Sequence, residues 1–281
     1  MNIKRLLTAS SLSIALFSTS TFAYVVGGAS SALTPGSGSW SWDGAYISDF
    51  RSALEDPVNF GPGGIVEEPI STVTMGAVNA ASLSGIDMFI APWVSDTDAP
   101  GFGAAVLDFF LAGGDLFILS DDSSHDWFSE MLGVPTSVST GSVSNGGVPL
   151  FDGPFGTASD VTQHYAIGKL DEADILAKGG HVAGTNVEGE VTSAYWSAGE
   201  YAAGAGSLFI IADVDMIATT TACGDPICGA DYTGMNDNAI YALNTFSFLK
   251  DHGGTSVPEP SSLFLMLIAL VSLPMLRRRV R

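Results

Sequence analysis

The chain has 281 residues, a formal charge of −20, and ten basic against thirty acidic residues. So acidic a surface repels nucleic acid and anionic lipid and draws divalent cations. A hydrophobic content of 46% excludes a disordered acidic chain, and the length is enough for one sizeable core.

Residues 1–23 read as a secretory signal peptide. Lys4 and Arg5 are its charged start, residues 6–17 its apolar stretch, and Thr21 and Ala23 the small residues before a cut at Tyr24. Residues 24–252 are then one α/β ectodomain. Tyr24-Val-Val-Gly reads as a short strand, and residues 29–44, with Trp40 and Trp42, as a loop. Tyr46, Phe50 and Leu54 at helical spacing predict a helix over 45–55, with Asp43 as N-cap. Ile65-Val66 and residues 71–75 are strand candidates.

The central block is more regular. A buried strand over 86–91 is followed by a helix over 101–112, stopped by Gly113-Gly114. A second buried strand runs over 115–120 and a short helix over 125–132. Residues 134–168 turn to Gly, Ser, Thr and Pro and read as a loop-rich insertion. Short strands are expected at 174–177, 181–184 and 191–197, a turn at 199–206, a third buried strand at 207–213, and an amphipathic helix at 236–250. Apolar strands alternating with helices predict a mostly parallel sheet with helices on both faces.

Three segments carry a family resemblance: Gly-Ile-Asp-Met-Phe-Ile-Ala-Pro at 85–92, Phe-Phe-Leu-Ala-Gly-Gly-Asp-Leu-Phe-Ile-Leu at 109–119, and the run at 196–213. Together with the last helix and its Asn236, Asn238 and Asn244, they resemble the flavodoxin-like fold of class I glutamine amidotransferase-like domains. That family needs a cysteine nucleophile on the turn after a central strand, with a histidine as base. The matching turn, Ser120-Asp121-Asp122-Ser123-Ser124-His125, has no cysteine, so the resemblance implies no glutaminase chemistry. Ser123 or Ser124 beside His125 lacks the Gly-x-Ser-x-Gly setting of a serine hydrolase.

The two cysteines, Cys223 and Cys228, flank Gly-Asp-Pro-Ile and read as a local disulfide. Each of the three strongest strands is followed by an acidic pair: Asp96 and Asp98, Asp121 and Asp122, Asp213 and Asp215. On the carboxyl rim of a parallel sheet, these are candidate ligands for Ca²⁺ or Mg²⁺. The alternative is that Asp98 and Asp122 cap the following helices and the rest are solvated. His164, His181 and His252 stand apart from one another and read as surface or packing residues.

The C-terminal end is a linker at 253–262 containing Val257-Pro258-Glu259-Pro260, an apolar run at 263–276, and a basic tail at 277–281 with Arg277, Arg278, Arg279 and Arg281. At about 1.5 Å per residue, the apolar run covers roughly 20 Å of a hydrocarbon core about 30 Å thick. It reads as a short transmembrane helix, its arginines holding one end in the cytoplasm. The three parts in this order resemble the PEP-CTERM sorting signal. That resemblance implies an exosortase-type protease as partner and a position on the periplasmic side of the inner membrane before processing. It then implies secretion to the cell surface or extracellular matrix, beside exopolysaccharide. On this reading the ectodomain is a non-catalytic binding or structural component in contact with extracellular polysaccharide, with no nucleic-acid partner. The competing expectation is a metal-assisted hydrolase of extracellular glycans using the aspartate rim.

Overall fold

The computed structural model describes residues 23–122, 127–139, 149–165, 167–224 and 227–253. In chain order the strands are β1 (Tyr24–Ala29), β2 (Ile70–Met75), β3 (Met88–Ala91), β4 (Asp115–Leu119), β5 (Thr136–Val138), β6 (Asp152–Gly153), β7 (Gly156–Thr157), β8 (Gly168–Leu170), β9 (His181–Thr185), β10 (Val191–Trp196) and β11 (Leu208–Ile211). The helices are α1 (Ser48–Glu55), α2 (Ala80–Leu83), α3 (Gly103–Leu111), α4 (Trp127–Met131), α5 (Glu172–Ala177), α6 (Thr220–Cys223) and α7 (Asp237–His252).

The main sheet has the order β2-β1-β3-β4-β11-β10-β8-β5, with β9 also paired to β10. β2, β1, β3, β4 and β11 run parallel. The remaining pairs, β10 with β11, β8 and β9, and β5 with β8, are antiparallel. The sheet is therefore mixed, which corrects the expectation of a mostly parallel one. The cause is local: β10 reaches β11 through residues 197–207, a connection with no crossover helix, and strands joined without a crossover run antiparallel.

Central strands are buried on both faces, and their side chains alternate. Phe117, Leu119, Phe209, Ile211, Met88 and Ile90 face one core, shared with Phe50 and Leu54 of α1 and with Tyr241, Phe246 and Leu249 of α7. Leu116, Ile118, Leu208, Ile210 and Phe89 face the other, with Val106 and Phe110 of α3, Phe128 of α4 and Ile175 of α5. Each fully buried side chain of this size contributes about 1.5–3 kcal/mol of transfer free energy. Continuous apolar runs in β3, β4 and β11 thus encode a sheet covered on both sides. Gly28 shows how closely the layers approach: a Cβ there would lie 2.4 Å from Cγ of Trp42.

Several local expectations change. Residues 174–177 are helical, within α5, because the Asp171 side chain accepts the Ala173 N–H (2.8 Å) and caps the turn. Asp43 caps no helix. Its carboxylate takes the Ser31 N–H at 2.7 Å, and residues 45–47 form a 3₁₀ turn before α1. Ile65-Val66 makes an isolated bridge with Phe60 in place of a strand.

Among the described residues, no helix is long and apolar enough to cross a membrane. The longest is α7, with 16 residues that include Asn238, Asn244, Lys250 and Asp251. Within those residues nothing supplies the membrane-spanning helix that the expected membrane partner and inner-membrane position call for, and both expectations are corrected to a mixed α/β fold with no such helix among the described residues. The exosortase-dependent sorting and the surface-matrix role expected to follow from such an anchor likewise find no support among the described residues, and the aspartate rim of the expected glycan hydrolase gathers no metal-ligand set there. The Val257-Pro258-Glu259-Pro260 motif, the apolar run, the arginine tail and residues 1–22 of the signal lie outside the described residues.

Candidate functional site

The carboxyl ends of β4 and β11 lie side by side, joined where the Ser120 N–H donates to the Ile211 carbonyl at 2.8 Å. β4 leads into Asp121 and β11 into Asp213 and Asp215, all three buried. The Asp213 carboxylate accepts the His164 N–H (Oδ2, 2.8 Å) and the Asp215 N–H (Oδ1, 3.0 Å). Burial raises its pKa well above the carboxylate range, and the charges of Asp215 and then Asp121 add to the effect. Asp121 is 8% exposed, and its Oδ1 has no hydrogen-bond partner among the described residues. Burial first, then the charge of Asp122, pushes it up to about 7. Gly168, at the start of β8, closes over both strand ends. A Cβ there would lie 2.3 Å from the Asp121 carbonyl and 2.6 Å from that of Ala212.

At the opposite, amino end of β4, Asp115 is fully buried. It accepts the Tyr24 hydroxyl at 2.6 Å and the Ser207 N–H and hydroxyl at 2.8 and 2.9 Å. Burial outweighs these donors and raises its pKa to about 6. It ties β1 and the start of β11 to β4.

An open cleft of about 670 Å³ lies beside the rim, lined by Asp160, Thr162, His164, Thr220, Cys228, Gly229, Asp231, Asn236, Asp237 and Asn238. Three segments build it: residues 159–164, the loop after β11, and the first turn of α7. Asparagines hold them together. Asn238 accepts the Thr162 N–H (3.1 Å) and donates to the carbonyls of Thr162 and Met216, both at 2.9 Å. Asn236 caps α7 by accepting the Ala239 N–H at 3.1 Å and donates to the Gly229 carbonyl at 2.7 Å. Asp237 accepts the Ser159 N–H at 2.7 Å, and Asp231 the Gly234 N–H at 2.8 Å. His164 Nε2 and the Thr162 hydroxyl are hydrogen-bonded at 2.8 Å. Cys223 and Cys228 are joined in a disulfide that closes the outer wall.

The six rim aspartates do not meet at one point. Asp96 accepts the Trp127 N–H (3.3 Å) and Asp98 the Gly36 N–H (2.8 Å), both in loops on the β3 side of the sheet. Asp122 is half-buried beside Asp121, and its carbonyl accepts the Thr136 hydroxyl at 3.5 Å. Among the described residues, no three His, Cys, Asp or Glu side chains gather as a metal-ligand set. Ser123, Ser124 and His125 lie outside the described residues. His164 joins the cleft, whereas His181 pairs with Glu200 (3.1 Å) and His252 stacks on Phe248. The sequence reading missed Asp160, Asp231 and Asp237. Their one signal is the cluster of capping residues on either side of the start of α7.

No family model matches the chain, and no curated protein matches it. The solved structures similar to it are distant. One is a cold-adapted β-galactosidase from Rahnella sp. R3, with 13% identity and a TM-score of 0.46 over 82% of this chain and 31% of that one. A second is the mmIFT52 N-terminal domain, with 14% identity and a TM-score of 0.42 over 66% and 85%. A third is a cytoplasmic protein from Salmonella typhimurium, with 11% identity and a TM-score of 0.42 over 65% and 81%. Similarity at this level assigns neither a family nor an activity.

Proposed function

We propose that the chain is a ligand-binding protein whose rim cleft takes a small ammonium-bearing molecule. The observation that carries this reading is the lining itself: three carboxylates, Asp160, Asp231 and Asp237, and no lysine or arginine among the described lining residues. An anionic ligand would meet uncompensated negative charge there. A primary ammonium group brings three N–H donors and no acceptor, which suits carboxylates, hydroxyls and amide oxygens. The partial positive charge at the start of α7 is offset by Asp237 in its first turn, so the cleft stays negative. Its volume is that of a small-molecule site and far exceeds a bare metal ion. The described lining carries no Phe, Tyr or Trp ring, which favours a hydrogen-bonding primary amine over a quaternary one held in an aromatic cage.

The test is calorimetric titration of the full chain with spermidine at low ionic strength, with phosphate, Ca²⁺ and Mg²⁺ in parallel. Asp160 is the residue to change. It is exposed, and its carboxylate anchors no neighbouring backbone among the described residues, so Asp160→Asn leaves the fold intact. Spermidine is expected to bind, to weaken with added salt, and to lose roughly tenfold in affinity in Asp160→Asn, the loss of one charge-assisted contact. Heat from Ca²⁺ or Mg²⁺ with none from spermidine would transfer the site to a metal ion. Phosphate binding would overturn the reading outright.

A further inference from the structure

We infer that the Cys223–Cys228 disulfide is a thiol-exchange site, opened by attack of a small thiol on Cys223, and that its opening loosens the wall of the cleft. The two sulfurs differ in access. Cys223 is partly exposed at the end of α6, whereas Cys228 is 0% exposed and lines the cleft. Cys223 is thus the more exposed of the two half-cystines, which directs an incoming thiolate to it and away from the buried Cys228.

Cys228 also leads straight into a tightly fitted part of the wall. The Gly229 N–H donates to the Asp215 carbonyl at 2.8 Å. A Cβ on Gly229 would lie 2.5 Å from Asn238 Nδ2 and 2.7 Å from the His164 ring. The Ala230 N–H donates to the Ala218 carbonyl, and the Thr220 N–H to the Ala230 carbonyl. The cross-link thus holds both arms of the 219–230 excursion, and one arm presses on two lining side chains.

The chemistry balances without another oxidant. A low-molecular-weight thiolate bonds to Sγ of Cys223, the Cys223–Cys228 bond breaks, and Cys228 leaves as a thiolate that takes a proton from water. A second thiol attacks the mixed disulfide, releasing the Cys223 thiol and the oxidised small-molecule disulfide. Two thiols have then been oxidised and one protein disulfide reduced. The exchange step stands on the unequal exposure of the two cysteines alone; its effect on the cleft rests on the ammonium-binding reading.

The experiment uses the full chain in native buffer with glutathione, quenched by alkylation and mapped by mass spectrometry. The expected product carries glutathione on Cys223 and the alkyl group on Cys228. The adduct on Cys228, or an intact disulfide under conditions where the unfolded chain reacts fully, would overturn the proposal. A second measurement compares spermidine affinity in the oxidised chain, the glutathione-treated chain and Cys223→Ser/Cys228→Ser. A loss of about tenfold on opening, shared by the double variant and reversed by reoxidation, is expected. Equal affinity in all three would overturn the effect on the cleft and leave the ligand reading standing. Spermidine binding to none of them, with the adduct on Cys223, would sink the ligand reading and leave the exchange site in place.

Discussion

Asp121→Asn should stabilise the protein, and by more at high pH than at low. Asp121 is 8% exposed, one of its oxygens has no hydrogen-bond partner among the described residues, and its folded pKa is about 7 against 3.8 for the free side chain. The folded chain therefore keeps a proton that the unfolded chain has released across the window from about pH 4 to 7. Stability is lost as pH rises through that window, because unfolding releases the proton. Integrated over the two titrations, the penalty is about 4 kcal/mol at pH 8 and about 2 kcal/mol at pH 5. Asparagine keeps the shape of the protonated acid and cannot ionise, so the variant should recover most of each amount. For a domain of this size the pH 8 gain corresponds to roughly 8–16 °C in Tm. Urea denaturation of both proteins at pH 5 and pH 8 measures it. A variant no more stable than the parent at pH 8, or one whose advantage is the same at both pH values, would refute the buried-carboxyl argument.

Three further outcomes test other parts of the fold. Gly168→Ala places a methyl group against two backbone carbonyls that cannot swing away, so it should cost more than the roughly 1–3 kcal/mol of ordinary overpacking and lower the urea midpoint accordingly. Asp171→Ala removes the cap of α5 and should cost about 1 kcal/mol in the same assay, with the m-value unchanged. Cys223→Ser/Cys228→Ser opens a six-residue loop, for which chain entropy gives about 2 kcal/mol, read as a drop of roughly 4–8 °C in Tm.

The layered core was legible because it is written in runs. Residues 88–91, 116–119 and 208–211 are apolar at every position, which only a strand covered on both faces can bury. The antiparallel half was not legible, since β8 and β5 span three residues each and sit among polar neighbours that show no period. Their direction follows from connection length, a quantity that depends on where the strands end. The helix α5 was missed for a related reason. It buries one residue, Ile175, so periodicity is silent, and only the Asp171 cap followed by Glu172 and Asp174 marks it.

The cleft teaches the opposite lesson about acidic residues. Reading aspartates by their distance from strand ends put six of them in one class, yet the structure sorts them by what they hold. Asp96 and Asp98 hold backbone amides, Asp121 holds nothing at one oxygen among the described residues, and Asp213 holds the segment that carries His164. Two asparagines at the start of one helix hold the cleft together, and a third further along it holds the neighbouring β6–β7 hairpin. Asn236 ties α7 to the disulfide loop and Asn238 to residue 162. Asn244 accepts the Phe155 N–H at 3.0 Å and donates to the Gly156 carbonyl at 2.9 Å. Two of them, Asn238 and Asn244, are 3% exposed. A buried amide costs stability unless all its bonds are made, so the buried positions of a helix should be apolar where nothing needs to be held. Amides at such positions in α7 therefore mark where a loop with no core of its own is fixed to the fold. For Asn238 that loop is the wall of the cleft.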